Sequence, residues 1–409
     1  MTFRRRVLYI PGYDPFHPRR YRELYRREGA EQARLSGYQI EQRRGPTPYS
    51  WDVESVQDGA HVHAQVEVLV WSDIVSRSMA RSIPATYAQL VRTAWAYVAS
   101  GALARLMRLR KGPVIAALYP IVALLLQAVI AVGAGVLAAW AVPQVLPQAP
   151  HLALAGGIGV AVAWALLRLF QRADRKTFTH YLMHDYAFTA HWGGAYPVVL
   201  EARLAAFRET IRAALDGDWD EVLVVGHSSG AHLGISVLAD LLRDGVEPEG
   251  RLSFLSLGQV VPMVSFLPGA DRLRADLEVM GGQAAIPWID VTAPGDGCAF
   301  ALCDPVAVSG LAPERQTGPL VISAAFTKTL SDAKQRELRR RYFRLHFQYL
   351  CAFDALPGQE DDYDYFRITA GPRTLGDRFA ARAPSPSRLT APVNRHTSTA
   401  APRAAVAAE

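Results

Sequence analysis

Lysine is almost missing from this chain. Four of its 44 basic residues are Lys (Lys111, Lys176, Lys328 and Lys334) and the rest are Arg, a bias that reads as genome composition rather than function. Cysteine is scarce too. Cys298, Cys303 and Cys351 are an odd number without close metal-ligand spacing. That argues against a disulfide framework and against a zinc site, and leaves free thiols in a reducing compartment as the expectation. A strong charge of one sign is also lacking. The balance of 44 basic to 38 acidic residues gives +6. Half of that excess lies in residues 376–409, where Arg378, Arg382, Arg388, Arg395 and Arg403 face only Asp377 and Glu409. No basic groove for nucleic acid is expected from such a distribution. There is no internal repeat. No secretory signal is expected, because the basic start leads into only Val7-Leu-Tyr-Ile10 before Pro11.

The longest absence is of charge itself. Between Gly112 and Leu167 there is no Asp, Glu, Lys or Arg. Pro113 to Val142 is long enough to cross a hydrocarbon core of roughly 30 Å. Pro143, Pro147 and Pro150 then break the helix and make a turn. Leu152 to Phe170 is a second, Gly-rich span, with Arg168 placed to snorkel. Gly156, Gly157, Gly159 and Ala163 are expected to pack on Gly133 and Gly135. Arg105, Arg108, Arg110 and Lys111 precede the first span, and Arg168, Arg172, Arg175 and Lys176 follow the second. Positive-inside bias puts both ends in the cytoplasm and the turn outside. A buried helical hairpin in a soluble core and a hairpin dipping into one leaflet are the alternatives.

What is present, at 50% hydrophobic and 20% charged residues, is a folding composition that excludes a wholly disordered chain. Outside the hairpin the chain alternates. Short apolar runs predict strands at Val7–Ile10, Val66–Trp71, Glu221–Val225, Leu252–Leu257 and Pro287–Val291. Helical periodicity is expected over Tyr21–Ser36, 74–110, Thr177–Ala190, Val198–Leu215, Gly230–Leu242, Leu273–Met280 and Lys334–Phe353. Alternation of this kind predicts a doubly wound, mostly parallel α/β sheet with a two-helix transmembrane insertion. The expected divisions are 1–111 and 171–375 for one split α/β domain, 112–170 for the hairpin, and 376–409 for a disordered, Ala/Pro/Ser/Thr/Arg-rich tail.

Gly226-His227-Ser228-Ser229-Gly230 is the most informative stretch. The Gly-x-Ser-x-Gly pattern alone is weak, but here an apolar strand precedes it and a helix follows. A serine on so sharp a strand-to-helix turn is held in strained geometry, with its hydroxyl above the sheet edge. The helix N-terminus favours developing negative charge. A Gly-capped turn in a nucleotide-binding protein is the alternative, and no phosphate-cradling Lys follows the loop.

With these residues in place, the chain resembles the α/β-hydrolase family from about Arg5 to about Phe353, interrupted by the hairpin. The resemblance implies a nucleophile, an acid and a histidine in that chain order. Ser228 matches the nucleophile and the Ser229 N–H one oxyanion donor. The second donor is expected from Gly12-Tyr13, with the Tyr13 N–H favoured. The His that commonly precedes this Gly is absent, and an ordinary Pro-Gly turn is the alternative. Asp296, in the Pro-Gly-Asp-Gly turn after a late strand, is the expected acid, with Asp304 second and Asp290 third. Only His346 and His396 follow Asp296, and His396 falls in the tail, so His346 is the expected base. His227 and His232 are read as packing or hydrogen-bonding residues. His180 and His184, spaced i, i+4 beside Asp185 and near His191, could ligate a metal, but the metalloprotease Glu is missing. A solvated or membrane-proximal face capping an acyl pocket is the preferred reading.

The function implied is a membrane-anchored serine esterase or lipase-like enzyme of the cell membrane, without metal or organic cofactor. Its expected partners are a small-molecule or lipid-like acyl substrate and the bilayer, with no nucleic acid. The alternative is a catalytically inactive, membrane-tethered scaffold of the same fold.

Overall fold

A computed structural model describes residues 2–79, 82–145 and 151–400. Its centre is one eight-stranded sheet. The strands are β1 (Phe3–Ile10), β2 (Gln39–Arg44), β3 (Ser50–Gln57), β4 (Ala60–Val68), β5 (Glu221–His227), β6 (Leu252–Leu257), β7 (Trp288–Thr292) and β8 (Leu320–Ser323). Their order is β2-β3-β4-β1-β5-β6-β7-β8. The β2/β3 and β3/β4 pairs are antiparallel and every pair from β4/β1 onward is parallel. The expected mixed α/β architecture with a mostly parallel sheet is therefore what the chain adopts.

β5 lies at the middle of the sheet and every one of its residues is buried. Val222 and Val224 face one apolar layer, with Leu204, Phe207 and Ile211 of the Val198–Leu215 helix. Leu223 and Val225 face the other, with Tyr25, Phe353 and Phe366. Burial on both faces explains the continuous apolar run, since no residue of the strand meets water.

Several expectations need correction. β2, β3 and β8 were not expected. β2 is an exposed, polar edge strand and β8 has four residues, so neither carries a strong apolar signal. The second expected strand begins earlier, at Ala60, and ends at Val68 rather than Trp71. The helix expected over 74–110 is broken into Ser72–Ser78, Ile83–Ala99 and Ala102–Leu109. The Ser82 side chain caps the second piece by accepting from the Ala85 N–H, and Gly101, at φ 71°, separates the last two. Lys334–Phe353 is likewise not one helix. It divides into Asp332–Leu338, Tyr342–His346 and a 3₁₀ turn, with Arg340 at φ 64° between the first two.

The expected disordered tail is packed as far as residue 400. Phe379 enters the core. The Ser385 N–H donates to the Val321 carbonyl at 2.8 Å and the Leu389 N–H to the Leu302 carbonyl at 2.7 Å. Arg274 reaches the Ser398 carbonyl at 2.7 Å. Absence of periodicity removed the signal for helix or strand, yet irregular backbone pairs as readily with loops of the body. Residues 401–409 lie outside the described residues.

The two apolar helices run Lys111–Val145 and His151–Arg172. Pro143 is carried inside the first, while Pro147 and Pro150 lie outside the described residues. Mean hydropathy is 2.5 and 1.9 in their most apolar windows, of which 17% and 6% is buried. Both are long and apolar enough to cross a membrane, and their exposure is the opposite of a soluble core hairpin. They touch through Gly135 and Gly159. A Cβ on Gly135 would lie 2.5 Å from the Gly159 carbonyl oxygen and 3.2 Å from the Ala163 Cβ. Gly133, Gly156 and Gly157 face open space and play no part in that contact.

Candidate active site

Ser228 sits where β5 ends and the Gly230–Arg243 helix begins, at φ 56°. A non-glycine residue there stores about 1–3 kcal/mol of strain. Close packing enforces the bend. A Cβ on Gly226 would lie 2.7 Å from the Gly230 carbonyl oxygen, and one on Gly230 would overlap the Ile10 carbonyl. The Ser228 N–H is fixed by the Leu257 carbonyl at 2.9 Å. Its side chain is half-buried and opens into a cavity of about 70 Å³.

The loop after β1 forms the facing wall. Trp71 Nε1–H donates to the Pro11 carbonyl at 2.9 Å and pins the turn. A Cβ on Gly12 would lie 2.9 Å from the Ser228 Cβ, so only glycine allows this approach. Among the described residues, neither the Ser229 N–H nor the Tyr13 N–H has a protein acceptor. Both residues line the cavity.

His346 closes a short helix and lines the same cavity. Its Nδ1 meets Asp296 Oδ2 at 2.7 Å, leaving Nε2 as the nitrogen available for chemistry. Asp296 is also held by the Tyr349 hydroxyl at 3.1 Å and, on its other oxygen, by the Cys298 N–H at 2.9 Å. Burial alone would raise the Asp296 carboxyl, but the charge and hydrogen bond of His346, with the two other donors, take it below its ordinary value. Of the three candidate acids, Asp296 is the one that meets His346. Asp304 caps the Pro305–Val308 turn by accepting from the Val306 and Ala307 N–H groups at 3.0 Å. Asp290, inside β7, accepts from the Ser256 hydroxyl at 2.6 Å. Ser228 Oγ and His346 share the cavity without a direct hydrogen bond.

His227 Nε2–H donates to the His346 carbonyl at 2.9 Å and so positions the backbone of that residue. Burial and then the neighbouring His346 push His227 down to about 3, which keeps its ring neutral. His232 pairs with the Tyr196 hydroxyl at 2.8 Å. Both flanking histidines thus act as hydrogen-bonding residues. His396 is half-buried in the packed tail, and its N–H is held by Asn394 Oδ1 at 3.1 Å.

Asp296, Cys298 and His346 bring three donor atoms within 4.8 Å of one another. Burial and then the Asp296 charge raise the Cys298 thiol, against the thiolate a metal requires. His346 Nδ1 and Asp296 are already committed to each other, so the cluster fits a hydrogen-bonded dyad better than an ion.

The Thr179–His191 helix, which follows the second apolar helix, caps the cavity with Tyr181, Leu182, Asp185, Tyr186 and Thr189. Tyr181 donates its hydroxyl to the Tyr13 carbonyl, and its ring packs on Phe343 at 5.8 Å. Pro113, at the foot of the first apolar helix, completes the wall. The expectation of a solvated His face is corrected. His180 and His184 are buried, and His184 Nδ1 pairs with Gln89 at 2.8 Å. Sequence reasoning missed Tyr349 as a partner of Asp296 and Asp185 as a lining residue. A tyrosine three residues beyond the candidate base was visible, but its direction needed the 3₁₀ turn.

Compared with family models, curated proteins and solved structures, the chain finds no match in any of the three. Its site stands on its own geometry.

Proposed function

We propose that this protein is a membrane-anchored serine hydrolase of the α/β-hydrolase type, cleaving carboxylic esters or thioesters. The observation that carries the reading is Ser228, strained at a strand-to-helix bend and sharing a cavity with the His346–Asp296 pair. In the first step Ser228 Oγ attacks the carbonyl carbon and its proton passes to His346 Nε2. The carbon–oxygen or carbon–sulfur bond to the leaving group breaks, and His346 returns that proton to the leaving atom. Water then attacks the acyl-serine, again through His346. The acid departs and Ser228 recovers its proton. Asp296 holds the ring and balances its charge. The free N–H groups of Ser229 and Tyr13 are placed to receive the oxyanion.

Anchoring rests on the two exposed apolar helices. Their basic flanks support a hydrolase body on the cytoplasmic side of the cell membrane, by the positive-inside bias. Part of that flank is also used internally, since Arg110 donates to the Ala301 carbonyl at 2.7 Å.

A fluorophosphonate probe should label the detergent-solubilised protein at Ser228, mapped by mass spectrometry. Ser228→Ala should abolish labelling. His346→Ala and Asp296→Asn should slow ester turnover about 10³–10⁴-fold. Labelling that survives Ser228→Ala would refute the assignment. A second reading, a catalytically silent scaffold, is favoured by the absence of a Ser228–His346 hydrogen bond. It predicts neither labelling nor turnover of short or long p-nitrophenyl esters.

A further inference from the structure

Asp185 stands out among the cavity residues because no hydrogen bond or ion pair among the described residues holds its carboxyl. Asp14, the other carboxylate of the lining, is paired with Arg20 at 2.8 Å and receives the Tyr21 hydroxyl. Asp296 is held by His346, Tyr349 and the Cys298 N–H. Asp185 lines the cavity with no hydrogen-bond or ion-pair partner among the described residues. No Lys or Arg lines the cavity, and His346, whose charge acts on Asp185, makes its hydrogen bond to Asp296 instead. Burial pushes its carboxyl up to about 7, and a cationic ligand would stabilise the charged form in this mostly apolar wall.

The surroundings narrow what that ligand is. Tyr13, Tyr97, Tyr181 and Tyr186 line the same space. Burial raises all four phenols, and the Asp185 charge raises each further. Tyr97 and Tyr181 have already spent their hydroxyls on the Met263 and Tyr13 carbonyls, leaving ring surface rather than donors. A divalent cation would want six or more oxygen ligands, and one free carboxylate does not supply them. An anionic substrate group would be repelled. Aromatic side chains in one cavity with a carboxyl suit a soft organic cation, which gains from both.

We propose that Asp185 and the surrounding tyrosines form a subsite for an organic ammonium group, so that the substrate is an ester of an amino alcohol or a similar cationic acyl compound. The inference rests on the acyl-transfer reading of the cavity and specifies its substrate. The cation sits against the capping helix while the ester carbonyl lies at Ser228. Asp185 selects substrate and takes no part in the proton transfers.

The test separates this subsite from the catalytic reading. Tetramethylammonium is titrated into the full-length Ser228→Ala protein in nonionic, choline-free detergent, followed by calorimetry, with tert-butanol as the neutral shape control. Saturable binding of the cation alone is expected, weakened at least tenfold in Ser228→Ala/Asp185→Asn and less in Ser228→Ala/Asp185→Glu. Melting temperatures verify that the variants fold. In the wild type, kcat/KM for butyrylcholine should exceed that for 3,3-dimethylbutyl butyrate at least tenfold, and Asp185→Asn should remove the difference. Turnover of butyrylcholine in choline-free detergent identifies a soluble substrate. Turnover confined to lysophosphatidylcholine micelles identifies a lipid carrying the same cation. Either outcome supports the subsite. Wild-type protein that labels with fluorophosphonate while Ser228→Ala ignores tetramethylammonium would overturn the ammonium subsite alone. Binding of the cation without any labelling would leave the subsite standing and remove the hydrolase.

Discussion

At the scale of single residues, Ser228 is held in a backbone conformation that its own side chain disfavours. At φ 56° a Cβ is a liability and glycine is at ease. Ser228→Gly should therefore raise the melting temperature above that of Ser228→Ala, by the equivalent of about 1 kcal/mol, while both lose probe labelling. Equal stability of the two variants would show that the bend is unstrained. The serine was legible because glycines flank it in a fixed pattern and the elements on either side have opposite periodicities. Asp296 was legible from its turn. Asp185 was visible only as a neighbour of His180 and His184, because an Asp on a helix has no local signature of what it faces. What marks it is the set of tyrosines gathered from its own helix, the Ile83–Ala99 helix and the loop after β1, and no sequence window contains them all.

Among the elements, β7 shows how a strand tolerates a carboxyl. Asp290 is fully buried, and its second oxygen has no partner. Burial pushes it up to about 8, offset in part by the Ser256 hydroxyl, so the folded strand keeps the proton near neutrality. The unfolded chain releases it near pH 4. Between those values the folded state binds more protons, and stability falls as pH rises. Asp290→Asn, which cannot ionise, should gain on the wild type by up to about 1.4 kcal/mol per pH unit between pH 4 and 8. Denaturant melts at pH 6 and pH 8 measure the gap, and a constant difference would exclude a buried neutral carboxyl. Central β5 announced itself by its unbroken apolar run. β2 and β3 did not, since one is polar at the sheet edge and the other alternates. The basic segment near residue 340 has helical composition throughout. Only the left-handed Arg340 breaks it, and arginine gives no warning of that.

For the molecule as a whole, the segment leading into the tail is a clasp. Arg5 and Glu221 form a fully buried pair at 2.6 Å, at the ends of β1 and β5 opposite the cavity. Arg5 also donates to the Gly371 carbonyl at 2.6 Å, and Glu221 receives the Leu375 N–H at 2.6 Å. Arg5→Leu should cost about 3–5 kcal/mol by leaving Glu221 uncompensated, and Arg5→Leu/Glu221→Leu should recover much of it. Urea denaturation distinguishes the two, and a double variant no better than the single would argue against a charge effect. The hairpin has a practical corollary of the same kind. Tyr119 ties the first leg to the turn that follows the second by donating to the Thr177 carbonyl at 2.8 Å, and Gly112 lies against Gly297, where an added Cβ would be 3.4 Å from its Cα. Anyone cutting this chain down to a water-soluble protein should splice beyond that tie, keeping the stumps of both legs. A splice flush with the body, joining residue 111 to 171, removes Pro113 from the chamber wall and unseats the roof. It should yield soluble protein that the phosphonate no longer marks, whereas the longer splice keeps its reactivity.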